Sequence, residues 1–80
     1  MQVVDYATTD DDRTWFTIAF NSELAEDTMA YRWLLHTMAD RIFEIKGQIG
    51  YWYFMDIRED ALTLLGIMYG EILSYSTTRH

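Results

Sequence analysis

Eighty residues with a formal net charge of −7, half of them hydrophobic and 16% aromatic, describe one folded unit, residues 1–80, and exclude a disordered chain. With no cysteine there is neither a disulfide nor a thiolate zinc site, so packing must hold a chain that buries only roughly 60% of its extended surface. Residues 1–6 lack the basic region and apolar run of a signal peptide, and the most apolar window, 61–69, is far short of the roughly 20 residues that span a bilayer. A cytoplasmic protein without membrane contact is expected.

Val3, Val4 and Tyr6 predict a short first strand. Residues 8–13, Thr-Thr-Asp-Asp-Asp-Arg, bond their own backbone in turns and predict a hairpin loop. Residues 14–20 predict a strong second strand, with Phe16, Ile18 and Phe20 on one face and Trp15, Thr17 and Ala19 on the other. Asn21 and Ser22 then offer a helix N-cap, and Glu23, Glu26 and Asp27 suit the positive end of a helix. The spacing of Leu24, Thr28, Tyr31, Leu35, Met38, Ile42 and Ile45 predicts one long helix running to Lys46, widened by Leu34 and capped by Gly47.

Residues 49–55 predict a third strand, apolar on both faces: Ile49, Tyr51, Tyr53 and Met55 on one, Trp52 and Phe54 on the other. Such a strand is central, covered on both sides, or set against a partner. Asp56 and Glu59 have capping-box spacing, and Leu62, Leu65, Tyr69 and Ile72 recur at helical spacing, which predicts a second helix over 58–75. The competing reading pairs 51–57 with 61–69 as a β-hairpin. Residues 76–80 are expected to fray. The fold class is α+β in the order β-β-α-β-α, or with a hairpin last: an antiparallel sheet packed on a long amphipathic helix.

Residues 1–31 carry seven acids against Arg13 alone, while 32–80 carry six acids and five bases, so −6 of the net charge lies in the first part. That distribution repels nucleic-acid phosphates, arguing against direct nucleic-acid binding, and attracts basic surfaces. Catalytic signals are few. Ser22 and Ser74 lack a nucleophile-elbow pattern, and Gly47 and Gly50 lack that of a phosphate loop. His36, one helical turn before Asp40, could orient an imidazole or supply two metal ligands, or make a plain surface pair. The run Asp10-Asp11-Asp12 lacks the alternating spacing of a calcium loop. No enzymatic activity, metal or cofactor is expected.

What remains points to binding. Opposite the main helix stripe, Met29, Trp33 and Phe43 would form a second apolar stripe, with Trp33 as aromatic anchor and Glu26, Asp40 and Glu44 as an acidic rim. The second helix could cover that stripe instead. Gly66 and Gly70 form a small-xxx-small pattern that admits a close neighbouring backbone.

Being short, acidic, aromatic-rich and free of cysteine, the whole chain resembles in type the small proteins that phages direct against host defence, above all anti-CRISPR proteins. The resemblance implies a protein of the host bacterial cytoplasm that binds a CRISPR effector complex and blocks target-DNA recognition, carboxylates standing in for phosphates. That family shares no common sequence pattern, so it supplies no site residues. The candidate partner-binding residues come from charge and patterning: Asp10, Asp11, Asp12, Glu23, Glu26, Asp27, Met29, Trp33, Asp40, Phe43 and Glu44. The alternative is a homodimeric structural or assembly module that uses the aromatic helix face.

Overall fold

The computed structural model describes residues 1–70 and the backbone of the short strand at 74–75. β1 (Gln2–Thr8) and β2 (Thr14–Asn21) form the expected hairpin. Its turn is closed by the Thr9 amide donating to the Arg13 carbonyl at 2.8 Å and the Asp12 amide to the Thr9 carbonyl at 3.0 Å. Asp12 takes the left-handed conformation, φ 65°, that aspartate tolerates better than most residues. Then follow α1 (Ala25–Thr37), a 3-10 turn (Ala39–Arg41), β3 (Ile42–Ile49), β4 (Trp52–Arg58), α2 (Glu59–Tyr69) and β5 (Ser74–Tyr75). The sheet order is β3-β4-β2-β1-β5, antiparallel except that β5 runs parallel to β1. The class is α+β.

Period-two alternation in β2 divides the molecule into two layers. Ile18 and Phe20 point to one side and are fully buried with Met55 and Ile57 of β4. Ala30 and Leu34 of α1 and Ala61, Leu62 and Leu65 of α2 close over them, so both helices share one face of the sheet. Tyr31 joins the core edge-on to Phe20 (5.4 Å between ring centroids) and to Tyr53 (5.5 Å). Burial raises the Tyr31 phenol above its ordinary value, and neighbouring Tyr53 adds to this.

The long helix expected to reach Lys46 ends at Thr37, and its last third is the 3-10 turn and the start of β3. Continued to Lys46, it would measure about 33 Å at 1.5 Å per residue, overhanging strands of about 27 Å. Ile42 and Ile45 satisfied the helical spacing, but Ile-Phe-Glu-Ile also fits a strand, and pairing with β4 decides the matter. Gly47 is therefore no C-cap. It lies in β3 at φ +118°, and Gly50, at φ +60°, turns β3 into β4. The expected third strand starts late, at Trp52, because residues 50–51 form that turn.

Neither helix has the side-chain cap expected for it. α1 starts after Leu24, while the Asn21 carboxamide accepts from the Glu23 amide at 2.9 Å and the Ser22 hydroxyl donates to the Tyr51 carbonyl at 2.9 Å. α2 starts after Arg58, and Asp56 stays in β4. The second helix stands, the hairpin reading does not, and the helix stops at Tyr69 short of the expected residue 75. The fraying expected at 76–80 lies outside the described residues.

Of the expected stripe, Leu34 and Met38 are buried and Tyr31 and Leu35 pack against the core, but the stripe is centred further toward Ala30 than expected. Asp27, Ala30 and Leu34 face inward, while Leu24 is exposed. The reason is Asp27, which is 1% exposed. Its Oδ2 accepts from the Asn21 amide at 2.7 Å and pairs with the Met1 amino group at 2.7 Å, a contact sealed from water on both sides. One carboxylate thus ties the start of β1, the end of β2 and the first turn of α1. Small Ala30, one turn on, lets α1 approach the sheet.

Removing one partner of a buried ion pair leaves the other charge unsatisfied, at a cost of roughly 3–5 kcal/mol. Urea unfolding of Asp27→Ala should show a loss of about that size, against a change within about 0.5 kcal/mol for Glu26→Gln on the exposed side of the same turn.

Candidate functional site

Among the described residues, the second face of the sheet carries no helix. The β2–β4 register places Trp15 beside Arg58, Thr17 beside Asp56 and Ala19 beside Phe54 on it, and the β3–β4 register adds Glu44 opposite Asp56 and Ile49 opposite Trp52. Three residues stand outside the ladder. The β1–β2 register skips Val4, and the β3–β4 register skips Phe43 and Lys46. A bulge bends its strand and sharpens the local twist.

These bulges shape the open face. Val4 and Lys46 border a groove of about 440 Å³ whose floor is Thr17 and Phe54 and whose far wall continues through Gly47 to Ile49. The third extra residue, Phe43, stacks on Trp15 with ring centroids 4.5 Å apart and planes at 30°. Gly47 permits the positive φ of the β3 bulge, and a Cβ there would meet nothing within 4 Å. Glycine is therefore needed for backbone conformation, not for space.

The polar centre of this face is Asp56, only 8% exposed. Its Oδ1 accepts from the Thr17 hydroxyl at 2.6 Å, and its Oδ2 faces the Lys46 ammonium at 3.5 Å. Lys46 also relieves the like charges of Asp56 and Glu44, paired across the strands. Around this centre lie apolar groups: Phe43 and Ile49 are 56% and 72% exposed, and Trp15, Trp52 and Phe54 are half-buried. Among the described residues, no group of three or more His, Asp or Glu is placed to hold a metal ion.

The residues singled out from the sequence do not converge on one surface. Asp10, Asp11 and Asp12 are exposed on the β1–β2 turn, where Asp11 bonds the Thr9 hydroxyl and pairs with Arg13 at 3.3 Å. The Thr9 hydroxyl, with Arg13 adding, holds the Asp11 carboxyl below its ordinary value against the opposing effect of desolvation. Glu23 and Glu26 are exposed at the opposite end of β2, about 24 Å away along seven residue steps. Asp27 has left the acidic surface for the interior.

The expected aromatic helix face does not form. Met29 is exposed on α1, but Trp33 is partly buried, edge-on to Tyr69 of α2 at 6.1 Å. Phe43 and Glu44 are not helical at all and lie on the open sheet face. Asp40 sits in the 3-10 turn paired with Arg41, which also reaches Asp60 at 3.2 Å, so His36 and Asp40 share no helix face. Burial alone would raise the Asp60 carboxyl, but the Arg41 hydrogen bond and the Ala61 amide together hold it below its ordinary value.

Thr17, Lys46 and Asp56 were not picked out from the sequence. The available signal was the third strand's two apolar faces, which called for cover on both sides, and Trp52 and Phe54 are the face left open. No protein-family model, curated protein or solved structure matches the chain.

Thr17→Val removes the hydroxyl from a nearly buried carboxylate and should cost about 1–3 kcal/mol in urea unfolding. Asp60 behaves differently with pH. Its lowered carboxyl contributes stability above the unfolded value and loses it as pH falls through the folded value, so the modest deficit of Asp60→Asn at pH 7 should close below about pH 4.

Proposed function

We propose that this chain is a non-enzymatic inhibitor in the manner of anti-CRISPR proteins, a cytoplasmic protein that docks by charge on the basic, nucleic-acid-binding surface of a protein complex. The supporting observation is the placement of its charge. Asp10, Asp11, Asp12, Glu23 and Glu26 are all exposed, at both ends of the central strand β2. Clusters of one sign attract an oppositely charged partner over a distance and speed association, and their effect falls with salt. Carboxylates on turns and helix starts can occupy positions that phosphates hold in the competing nucleic acid. No helix of the described residues is long and apolar enough to cross a membrane.

One observation favours the second reading, a homodimeric assembly module. Leu64, Ile67 and Met68 occupy one side of α2 and are 41%, 74% and 56% exposed. Sedimentation equilibrium separates the two readings, since a module of this kind is dimeric at micromolar concentration and an inhibitor of the first kind is active as a monomer.

The first reading is tested by target-DNA binding of purified CRISPR effector complexes, measured by mobility shift with and without the protein. The wild type should lower the fraction of DNA bound by at least one complex. A variant with Asp10, Asp11 and Asp12 changed to Asn, and Glu23 and Glu26 to Gln, should lose at least tenfold in potency. Equal potency of the two proteins would remove the charge-docking mechanism.

A further inference from the structure

The 80 residues carry two amines, the α-amine of Met1 and the side chain of Lys46, and the fold treats them differently. Lys46 is exposed on the border of the open groove. Met1 is buried in the core cluster with Val3, and its ammonium lies 2.7 Å from Asp27 Oδ2. We infer that the Met1 α-amine is an acylation site open only on the unfolded chain, and that an acyl group placed there opposes folding. The inference is independent of how the protein docks.

Protection of the site follows from the nitrogen. Acyl transfer from a thioester needs the lone pair of a free amine. Nitrogen attacks the carbonyl carbon, the C–N bond forms and the C–S bond breaks. The departing thiolate takes up the proton that nitrogen releases. In the fold the same nitrogen is an ammonium in contact with a carboxylate 1% exposed, beside a buried Met1 side chain. An acyl donor therefore reaches it only when the start of β1 leaves Asp27.

The effect of the acyl group follows from Asp27. Among the described residues, the Met1 ammonium is the only cation paired with it. The Asn21 amide shares Oδ2, and Oδ1 has no hydrogen-bond partner. Acylation turns the ammonium into a neutral amide, which keeps one N–H and loses the charge. A carboxylate taken from water is then left without its counter-charge at the junction of β1, β2 and α1. Protection and destabilisation are one coupling seen from two sides, since a modification made only on the unfolded chain and poorly accepted by the fold shifts the balance toward unfolding.

The probe is N-acetoxysuccinimide, added in limiting amount at neutral pH to the folded protein and to the protein in urea. Peptide mass spectrometry then locates the acetyl group on Met1 or Lys46. An ordinary α-amine is less basic than a lysine side chain and reacts first at neutral pH. That order is expected in urea. In the folded protein it should reverse, with the ratio of Met1 to Lys46 acetylation at least about tenfold lower. Chains acetylated on Met1 alone, purified and refolded, should have a folding equilibrium constant at least about tenfold below that of the unmodified protein. In Asp27→Asn, which keeps the shape and drops the charge, acetylation of Met1 should change that constant less than about twofold.

An equal acetylation ratio in folded and urea-unfolded protein would overturn the inference, as would undiminished stability of the Met1-acetylated chain. Both measurements use the wild-type sequence and stand even where Asp27→Asn does not fold. A loss as large in Asp27→Asn as in the wild type marks steric crowding in place of a lost counter-charge, and overturns it too.

Discussion

The alternation of β2 is the constraint on which the rest of the structure depends. Among the described residues two helices pack on this central strand, and both lie on the same face. Phe16, Ile18 and Phe20 claim both helices, because a continuous branched and aromatic row offers the larger apolar gain. Trp15, Thr17 and Ala19 are then left to build the other surface with whatever β1, β3 and β4 bring beside them. The open face is a consequence of covering the first.

With so small a core, a few polar contacts carry unusual weight. Asp27 is the clearest, a carboxylate taken from water at the junction of β1, β2 and α1, with Oδ2 shared by two nitrogens and Oδ1 without a hydrogen-bond partner among the described residues. Burying such a group is costly in itself. Its effect is to draw the first turn of α1 inward at Asp27, so that Leu24 is exposed and Trp33 joins the expected Leu34, Tyr31, Leu35 and Met38 on the core side. The ion pair thus links a local residue choice to the fate of a whole apolar stripe.

The edges of the sheet contribute through their irregularities. β3 is an edge strand of eight residues, a form that invites pairing with other chains, and it carries two bulges and a positive-φ glycine that interrupt a flat ladder. The same irregularities place Phe43 on Trp15 and bring Lys46 to Asp56. One device limits uncontrolled strand pairing and shapes a groove on the open face.

Much of this was legible in the sequence. The first hairpin, the two faces of β2, the existence of α1 and the helical character of 59–69 follow from local patterns, because turn chemistry and periodicity depend on neighbours only a few residues away. The third strand's double apolarity also announced a surface needing cover on two sides. Tertiary structure decided the rest. Ile42 and Ile45 fit helix and strand alike, and only the backbone partners offered by β4 made residues 42–49 a strand. Asp27 reads as a helix-start acid until the chain places two nitrogens beside it. Val4, Phe43 and Lys46 became groove and platform through register skips, which arise between strands and leave no local mark. Composition and periodicity determined the layers and the sign of the charge, and long-range pairing determined which side chains meet, since that is the one property no short window of sequence contains.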